Sequence, residues 1–500
     1  MTSSTQISRA WVALLALVLA FSCLGSRGLW DPDEGRYTNV AIEMLDSGDW
    51  VSPRRNDDTG HWTKPPLTYW AVASSLSVFG RNTWAARLPS ALSYLACIWL
   101  AWACARRLAP GSQDLTALVY ATLLMPFIAG QLVTTDFLLA AMQTLAVYAF
   151  VEWRFGPSAR RARWLWLMWV AFAAAFLTKG PPAVVPMLAM LGLSLLVRDE
   201  RPSQWLHWVG GFLLFAALVL PWFVTVSLQN AGLLDYFLHA EVVGRVASDR
   251  FSRHGEWYGW FEIYLPTLLL GTLPWTLAAG SWLRALPAAI KRWSSTLQRQ
   301  REAGALFIAL WIALPLLVFC VARSRLPLYV LPLFVPIALA IASTRTAQGR
   351  AMPGWPWIAA WAVVLIGFRF AAAHYPSDND ASAWAREISQ RTGGKVTEVV
   401  FVEDTPRYGL RLHLGIQVET LSINATDQPR FNPEFDETIT REIEETGEEG
   451  NVVYITKETS WPGVVQKLDA LGFHPLPLGD RFRKRVIFEV RPTRQAAAQH

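Results

Sequence analysis

Long apolar runs recur along most of this 500-residue chain, and they constrain its fold more than any other feature. A helix needs about 20 predominantly apolar residues to cross a bilayer. Runs of this kind lie near residues 11–30, 86–105, 115–131, 135–153, 164–178, 181–197, 206–228, 262–283, 304–322, 326–343 and 355–374. The pattern therefore predicts a mainly α, polytopic membrane bundle with about eleven to thirteen crossings.

The composition agrees with a membrane protein. The chain is 53% hydrophobic, has 26 Trp residues and is only 17% charged. Its net charge of +6 comes from basic residues in short loops beside apolar runs, where they set topology and meet lipid headgroups. This distribution indicates membrane lipids as partners and excludes nucleic acid. The four cysteines all lie in apolar runs and are interpreted as buried thiols.

The basic loops also predict an orientation. With a cytoplasmic N-terminus, the positive-inside rule is satisfied by five basic loops. These contain Arg106 and Arg107, then Arg154, Arg160, Arg161 and Arg163, then Arg198 and Arg201, then Lys291, Arg292, Arg299 and Arg301, and finally Arg345 and Arg350. Loops 31–85 and 229–261 and everything after residue 375 then lie on the outer face. The first run has no cleavage site after it and is interpreted as an uncleaved anchor.

An acidic stretch follows the first apolar run directly. Asp31, Asp33, Glu34 and Arg36 lie where the chain emerges from the membrane. One interpretation is a solvated helix start, with Asp33 as the N-cap and Glu34 in the first turn. The other is a functional site, because carboxylates at this depth are costly unless they are solvated, paired or used.

Several cations on the outer face are not needed for topology. A cluster of cations at one membrane face suits a lipid-linked phosphate, although ordinary interfacial snorkelling is the alternative. The candidates are Arg36, Lys64, Lys179, Arg245 and Arg323. Asp136 begins the fourth run on the same face; alone it would be an unremarkable helix cap.

Residues 375–494 change character and predict a small α/β domain outside the membrane. Strands are predicted at 398–402, 410–414, 452–455 and 486–490, and helices at 381–392 and 461–471. The predicted domains are thus a membrane domain over 1–374 and this C-terminal domain. A disordered tail is predicted at 495–500.

Several motifs, in this order, resemble the GT-C membrane glycosyltransferases, especially bacterial lipid A aminoarabinose transferases and, more distantly, protein O-mannosyltransferases. The motifs are Asp33-Glu-Gly-Arg-Tyr37, Lys64-Pro-Pro-Leu-Thr-Tyr-Trp70, Thr135-Asp136, Thr178-Lys-Gly180, Gly244-Arg245 and Leu326-Pro-Leu-Tyr-Val-Leu-Pro-Leu-Phe334. The resemblance covers roughly residues 10 to 345.

The resemblance implies transfer of a sugar from an undecaprenyl-phosphate donor to an envelope glycolipid such as lipid A, on the periplasmic face of the bacterial inner membrane. It implies that Asp33 is the main catalytic carboxylate, with Glu34 beside it, and that Asp136 is a second acid. Lys64 and Arg245 are implied to contact the lipid phosphate.

The chain departs from the aminoarabinose transferases at two positions. Thr63 replaces the acid that precedes the lysine of the Lys-Pro-Pro turn, and Val242 replaces the histidine after Glu241. In the family, those two positions can hold a metal ion. Because both ligand types are missing here, we expect no metal there, and we expect no cofactor.

Two other functions are weighed. A protein O-mannosyltransferase would use the same donor chemistry on a protein acceptor. A lipid flippase or transporter would perform no chemistry, and it should carry charges within its spans and inverted repeats. The charges here lie in outer loops, which favours the enzyme.

Overall fold

The computed structural model describes residues 9–157, 161–199, 204–243, 254–350, 352–446 and 451–493. In the apolar part of the chain, the helices are Arg9–Phe21, Asp33–Ser47, Leu67–Phe79, Thr83–Leu108, Gln113–Thr122, Leu124–Ala129, Thr135–Phe155, Arg161–Lys179, Met187–Leu196, Trp205–Gln229, Leu233–Asp235, Gly259–Gly271, Thr276–Arg292, Thr296–Arg301, Ala303–Val321, Phe334–Ala347 and Trp355–His374. Short 3-10 helices cover Pro181–Val184 and Pro327–Leu333, and a π-helix covers Tyr236–Val243.

Every predicted apolar run contains helix, which confirms the helical membrane bundle. Among the described residues, five helices are long and apolar enough to cross a membrane, and one bent pair brings the number to six. The bent pair is Gly259–Gly271 with Thr276–Arg292, at an angle of 114°. Other runs form shorter, interrupted or more polar helices, so the larger number of crossings stays a prediction.

The chain divides into two compact units. The first is built from Met1–Leu24, Lys64–Thr68 and Arg87–Ala371. Its core is formed by apolar side chains of the long helices, together with buried guanidinium groups that include Arg369. Arg369 donates to the carbonyls of Ser22, at 3.2 Å, and Phe127, at 2.7 Å, and it lies 3.6 Å from the Phe127 ring centroid. A cation inside a membrane helix is tolerated when carbonyl oxygens satisfy it in this way.

The second unit joins Gly25–Thr63 and Tyr69–Ala86 to Ala372–His500. The last segment of this unit begins at Ala372, and the predicted domain boundary near residue 374 stays a prediction. However, most of loop 31–85, which the sequence analysis placed in the membrane domain, packs with the C-terminal residues. The first outer loop and the C-terminal domain therefore share one fold.

A six-stranded sheet forms the centre of this second unit. Its strands are β1 (Glu398–Val402), β2 (Gln417–Ser422), β3 (Glu437–Thr438), β4 (Val452–Lys457), β5 (Phe473–Pro477) and β6 (Arg485–Pro492). They lie in the order β3-β2-β1-β4-β6-β5. β1, β2, β3 and β4 are parallel, and β6 runs antiparallel to both β4 and β5.

Helices cover both faces of the sheet. Because successive side chains of a strand point to opposite faces, neighbouring residues of β1 pack on different helices. Phe401 packs on one side with the Ala381–Thr392 helix, and Val402 packs on the other with Ile439–Thr446 and Trp461–Ala470. This confirms the predicted small α/β domain and both of its predicted helices.

One predicted strand is wrong. Residues Leu410–Leu414 form a short helix, and the neighbouring strand is β2, which the sequence analysis missed. Alternating leucines suggested a strand, but Gly415 ends the segment with a φ of 72°, in the left-handed region, a helix C-terminal conformation that suits glycine. The Leu410 and Arg411 side chains are buried on the helix.

Candidate active site

Three acids surround the start of the Asp33–Ser47 helix, and they differ sharply in exposure. Asp31 and Glu34 are 3% and 2% exposed. The Asp33 side chain, between them in sequence, is 54% exposed. Asp33 is the first residue of the helix rather than its N-cap, which is Pro32. Of these three carboxylates, only Asp33 is accessible to a substrate.

The Glu34 side chain is bound by residues of its own segment. Its carboxylate accepts hydrogen bonds from the Arg27 guanidinium at 2.5 Å and from the Trp30 backbone N–H at 3.0 Å. The Arg27 guanidinium also lies over the Trp30 ring, 4.3 Å from its centroid. This buried ion pair fixes the helix start, and the catalytic role predicted for Glu34 stays a prediction.

Asp31 connects the helix start to the C-terminal segment. Both of its carboxylate oxygens lie near the Gly409 backbone N–H, at 3.2 and 3.3 Å. Burial raises the pKa of Asp31 to about 8, although the Gly409 hydrogen bond and Arg407 act against this rise. Gly35 lies so close that a Cβ there would overlap the Asp31 carboxylate and the Gly409 nitrogen. The sequence indicates no role for Asp31, since its partner is 378 residues away.

Asp33 is held from within its own helix. Arg36 donates to its carboxylate at 2.5 Å, one turn along. The Arg36 guanidinium in turn lies 5.4 Å from the Tyr37 ring centroid. The structure therefore brings Asp33 and Arg36 together, and Arg36 can orient the exposed carboxylate.

Buried ion pairs fix the rest of this helix and the loop that follows it. Arg411 binds Glu43 at 2.7 Å and Asp46 at 2.9 Å. Arg55 binds Asp436 at 2.7 Å, and its carbonyl accepts from the Asn39 amide at 2.5 Å. The sequence does not predict these contacts, because nothing local marks an arginine as the partner of a distant acid.

In the first unit, Asp136 and Lys179 form an ion pair with both side chains mostly buried. Asp136 lies in the first turn of the Thr135–Phe155 helix, where the Thr134 side chain accepts from its backbone N–H. Lys179 ends the Arg161–Lys179 helix, and its ammonium lies 4.4 Å from the Tyr329 ring centroid. The predicted second acid and one predicted phosphate ligand are therefore in direct contact.

The remaining predicted cations differ in their surroundings. Lys64 is half-buried, just before the Leu67–Phe79 helix. Arg323 is exposed, whereas its neighbour Arg325 is buried and donates to the carbonyls of His254 and Glu256, at 2.5 and 2.6 Å. Arg245 lies outside the described residues.

The described residues include one group of acids able to hold a cation, Glu419, Glu437 and Glu442 in the C-terminal part of the chain. Burial, followed by the charge of neighbouring acids, raises the pKa of Glu419 to about 9, so a proton can replace an ion there. At the family's metal position, the Thr63 hydroxyl instead contacts the His61 ring at 2.8 Å.

Comparison with known proteins identifies relatives of this chain. Residues 63–227 match the family model described as dolichyl-phosphate-mannose-protein mannosyltransferase. Over 364 residues, the chain is 33% identical to undecaprenyl phosphate-alpha-4-amino-4-deoxy-L-arabinose arabinosyl transferase 2 of Pseudomonas fluorescens, covering 69% of this chain and 62% of that protein. The corresponding transferase of Pseudomonas aeruginosa strain UCBPP-PA14 is 34% identical over 326 residues, covering 63% and 55%. The chain thus spans about three fifths of the length of these curated relatives.

Among solved structures, ArnT from Cupriavidus metallidurans bound to undecaprenyl phosphate superposes with a TM-score of 0.77 at 22% identity, covering 96% of this chain and 98% of that chain. The chain has the fold of this membrane protein. The apo structure of the same ArnT gives the same TM-score, at 20% identity, covering 97% of this chain and 98% of that one. The predicted resemblance to the aminoarabinose transferases is confirmed, and so is a multi-span membrane protein with a GT-C bundle.

Proposed function

We propose that this chain is a glycosyltransferase that moves a sugar from an undecaprenyl-phosphate donor to an envelope glycolipid such as lipid A. The names of its curated relatives support the donor and a pentose as the sugar, and the fold similarity supports the architecture. The observation that carries the proposal is the burial pattern at the helix start. Of the three acids there, Asp33 alone is accessible. Asp31 and Glu34 are buried and hold it in place.

The proposed reaction is a direct displacement. An acceptor oxygen forms a bond to the anomeric carbon while the bond from that carbon to the phosphate oxygen breaks, and undecaprenyl phosphate leaves with the electron pair. Where the acceptor is a hydroxyl, Asp33 takes its proton as general base, and Arg36 orients the carboxylate. Inversion at the anomeric carbon is what the family resemblance implies.

The leaving phosphate needs positive charge. We assign this role to Lys64, Lys179, Arg245 and Arg323, because fixed cations stabilise charge that develops on a departing phosphate. Asp136 holds Lys179 in place through their ion pair and is thereby a positioning residue. Glu34 is assigned to positioning as well, through Arg27 and Trp30.

We further propose that the protein lies in the bacterial inner membrane with a cytoplasmic N-terminus and a periplasmic C-terminal domain. The distribution of basic loops supports this orientation. Protein O-glycosylation is the second candidate, because residues 63–227 match a protein mannosyltransferase family model. A flippase without chemistry has no comparable observation in its favour.

The direct test is the Asp33→Asn variant. In proteoliposomes with an undecaprenyl-phosphate sugar and lipid A, we expect transfer to fall by about 10²-fold or more, because a positioned general base contributes about that much. Binding of the donor should be largely kept. Asp58→Asn, an exposed acid in the same loop, is the matched control and should transfer normally. Wild-type activity in Asp33→Asn would refute the assignment of Asp33, and mass spectrometry of the product distinguishes a lipid from a protein acceptor.

A further inference from the structure

A cavity of about 340 Å³ lies within the second unit, between the first outer loop and the ends of the central strands. Pro32 and Arg36 contribute to its wall from the loop. Thr405, Asn432 and Lys457 contribute to it from the C-terminal segment.

The cavity adjoins the candidate catalytic residue. Pro32 directly precedes Asp33, and Arg36 donates to the Asp33 carboxylate at 2.5 Å while also lining the cavity. A molecule in the cavity that contacts Arg36 would therefore lie next to a residue bound to Asp33.

Two of the three acids that line the cavity are engaged by other groups, and the third, Glu434, is exposed. Asp404 accepts two hydrogen bonds from Arg485, at 2.5 and 3.2 Å. Glu403 accepts from the Ile423 backbone N–H at 2.8 Å. Among the lining cations, Arg55 is also committed, because it binds Asp436 at 2.7 Å.

The other two cations keep binding capacity. The Lys457 side chain is 46% exposed, and its ammonium lies 3.7 Å from Asp404, beyond hydrogen-bond distance. The buried Nε of Arg36 makes no hydrogen bond to any residue in the described ranges. Lys457 and Arg36 thus supply positively charged donors, which are suited to an anion, in a wall that also contains the exposed Glu434.

We propose that this cavity binds the phosphorylated sugar headgroup of the acceptor glycolipid, with Lys457 and Arg36 on the phosphate. Thr405 and Asn432 supply polar groups for sugar hydroxyls, and the rings of Tyr408 and Phe435, also in the wall, suit a sugar face. This inference rests on the proposed function and identifies where its acceptor binds. The undecaprenyl chain of the donor does not suit a cavity with so many charged side chains.

The kinetic test compares Lys457→Ala with the wild-type full chain in proteoliposomes, varying lipid A and donor separately. We expect KM for lipid A to rise about tenfold, as for loss of one charge-assisted hydrogen bond, with KM for the donor unchanged. Lys457→Arg should restore most of the loss. Arg481→Ala removes an exposed cation outside the cavity and is the matched control. An unchanged KM for lipid A, or an equal rise for the donor, would overturn the proposal.

A binding test needs no turnover. Glucosamine 1-phosphate should bind the detergent-solubilised wild-type chain, and Lys457→Ala should bind it about tenfold more weakly. Glucosamine or inorganic phosphate alone should bind more weakly than the phosphosugar; equal binding of inorganic phosphate would refute a sugar site. Equal binding by Lys457→Ala and the wild type would refute the cavity assignment. Absence of transfer by the wild-type chain would instead count against the proposed function.

Discussion

Asp31 and Asp33 are two residues apart and have opposite surroundings. Asp33 is exposed and paired with Arg36, as a base that must meet a substrate should be. Asp31 is buried against Gly409, and burial raises its pKa to about 8. The buried aspartate fixes the backbone from which the exposed one projects. Asp31 therefore supports the backbone, and Asp33 is accessible for the chemistry that we propose.

The raised pKa of Asp31 predicts a pH-dependent stability. Between its ordinary pKa near 3.8 and about 8, the folded state binds more protons at this group than the unfolded state does. Stability should therefore fall as pH rises through this window, by up to about 1.4 kcal/mol per pH unit. Asp31→Asn removes the titration, so its melting temperature should change less between pH 5 and pH 8 than that of the wild type. Thermal unfolding of the solubilised protein measures both.

Asp49→Asn is the control for this experiment. Backbone hydrogen bonds from Ser52 and Val51 help to hold the pKa of Asp49 below its ordinary value, so this group stays ionised from pH 5 to pH 8. The control variant should keep the pH dependence of the wild type. If Asp31→Asn keeps it too, Asp31 is not the titrating group.

The Asp136–Lys179 pair predicts non-additive effects on transfer. Loss of either partner leaves the other mostly buried and without its counter-charge. We expect Lys179→Ala and Asp136→Ala each to lower kcat/KM, and the double variant to lose less than the product of both. The coupling should be about 0.5–3 kcal/mol, the usual range for residues in contact. Donor titrations of the wild type, both single variants and the double variant measure this coupling. Strictly additive losses of free energy would mean that the two residues act independently.

At the scale of elements, the Asp33–Ser47 helix is attached to the Leu410–Leu414 helix by charge. Arg411 is buried and binds Glu43, which is buried too, as well as the more exposed Asp46. Arg411→Met should therefore destabilise the second unit by about 3–5 kcal/mol, because it leaves the Glu43 carboxylate buried without a partner. Urea or thermal unfolding followed by Trp fluorescence measures the loss.

Arg81→Ala is the matched control for the Arg411→Met variant. Arg81 also binds Asp46, but both side chains are partly exposed, so its removal should cost only about 0–1 kcal/mol. Glu43→Gln combined with Arg411→Met should recover part of the loss, since a neutral amide is cheaper to bury than a carboxylate. Equal losses for Arg81→Ala and Arg411→Met would show that the buried pair does not hold the helix.

For the whole molecule, the sequence predicts what depends on local pattern. Apolar runs become helices because an unpaired backbone is too costly in a bilayer. The small α/β domain is predicted from its short apolar strand patterns and the helical patterns between them. Local pattern failed at Leu410–Leu414, where a helix replaces the predicted strand. It also gave no sign that Asp31 meets Gly409 or that Arg369 binds the carbonyls of Ser22 and Phe127, since these contacts join distant segments. Motif resemblance singled out Asp33 over Glu34, and the structure adds that Asp33 is exposed whereas Glu34 is buried.

The orientation of the whole chain is the last prediction. Basic loops resist transfer across the membrane, so the loop containing Ser294 should be cytoplasmic and the C-terminal helix containing Gln466 periplasmic. In a chain whose four cysteines are replaced by alanine, single Ser294→Cys and Gln466→Cys variants place a thiol at exposed positions. In cells with only the outer membrane permeabilised, an impermeant maleimide should label Gln466→Cys at once and Ser294→Cys only after lysis. The reverse pattern would place Asp33 on the cytoplasmic side, where an acceptor in the periplasmic leaflet is out of reach, and would contradict the proposed function as well as the orientation.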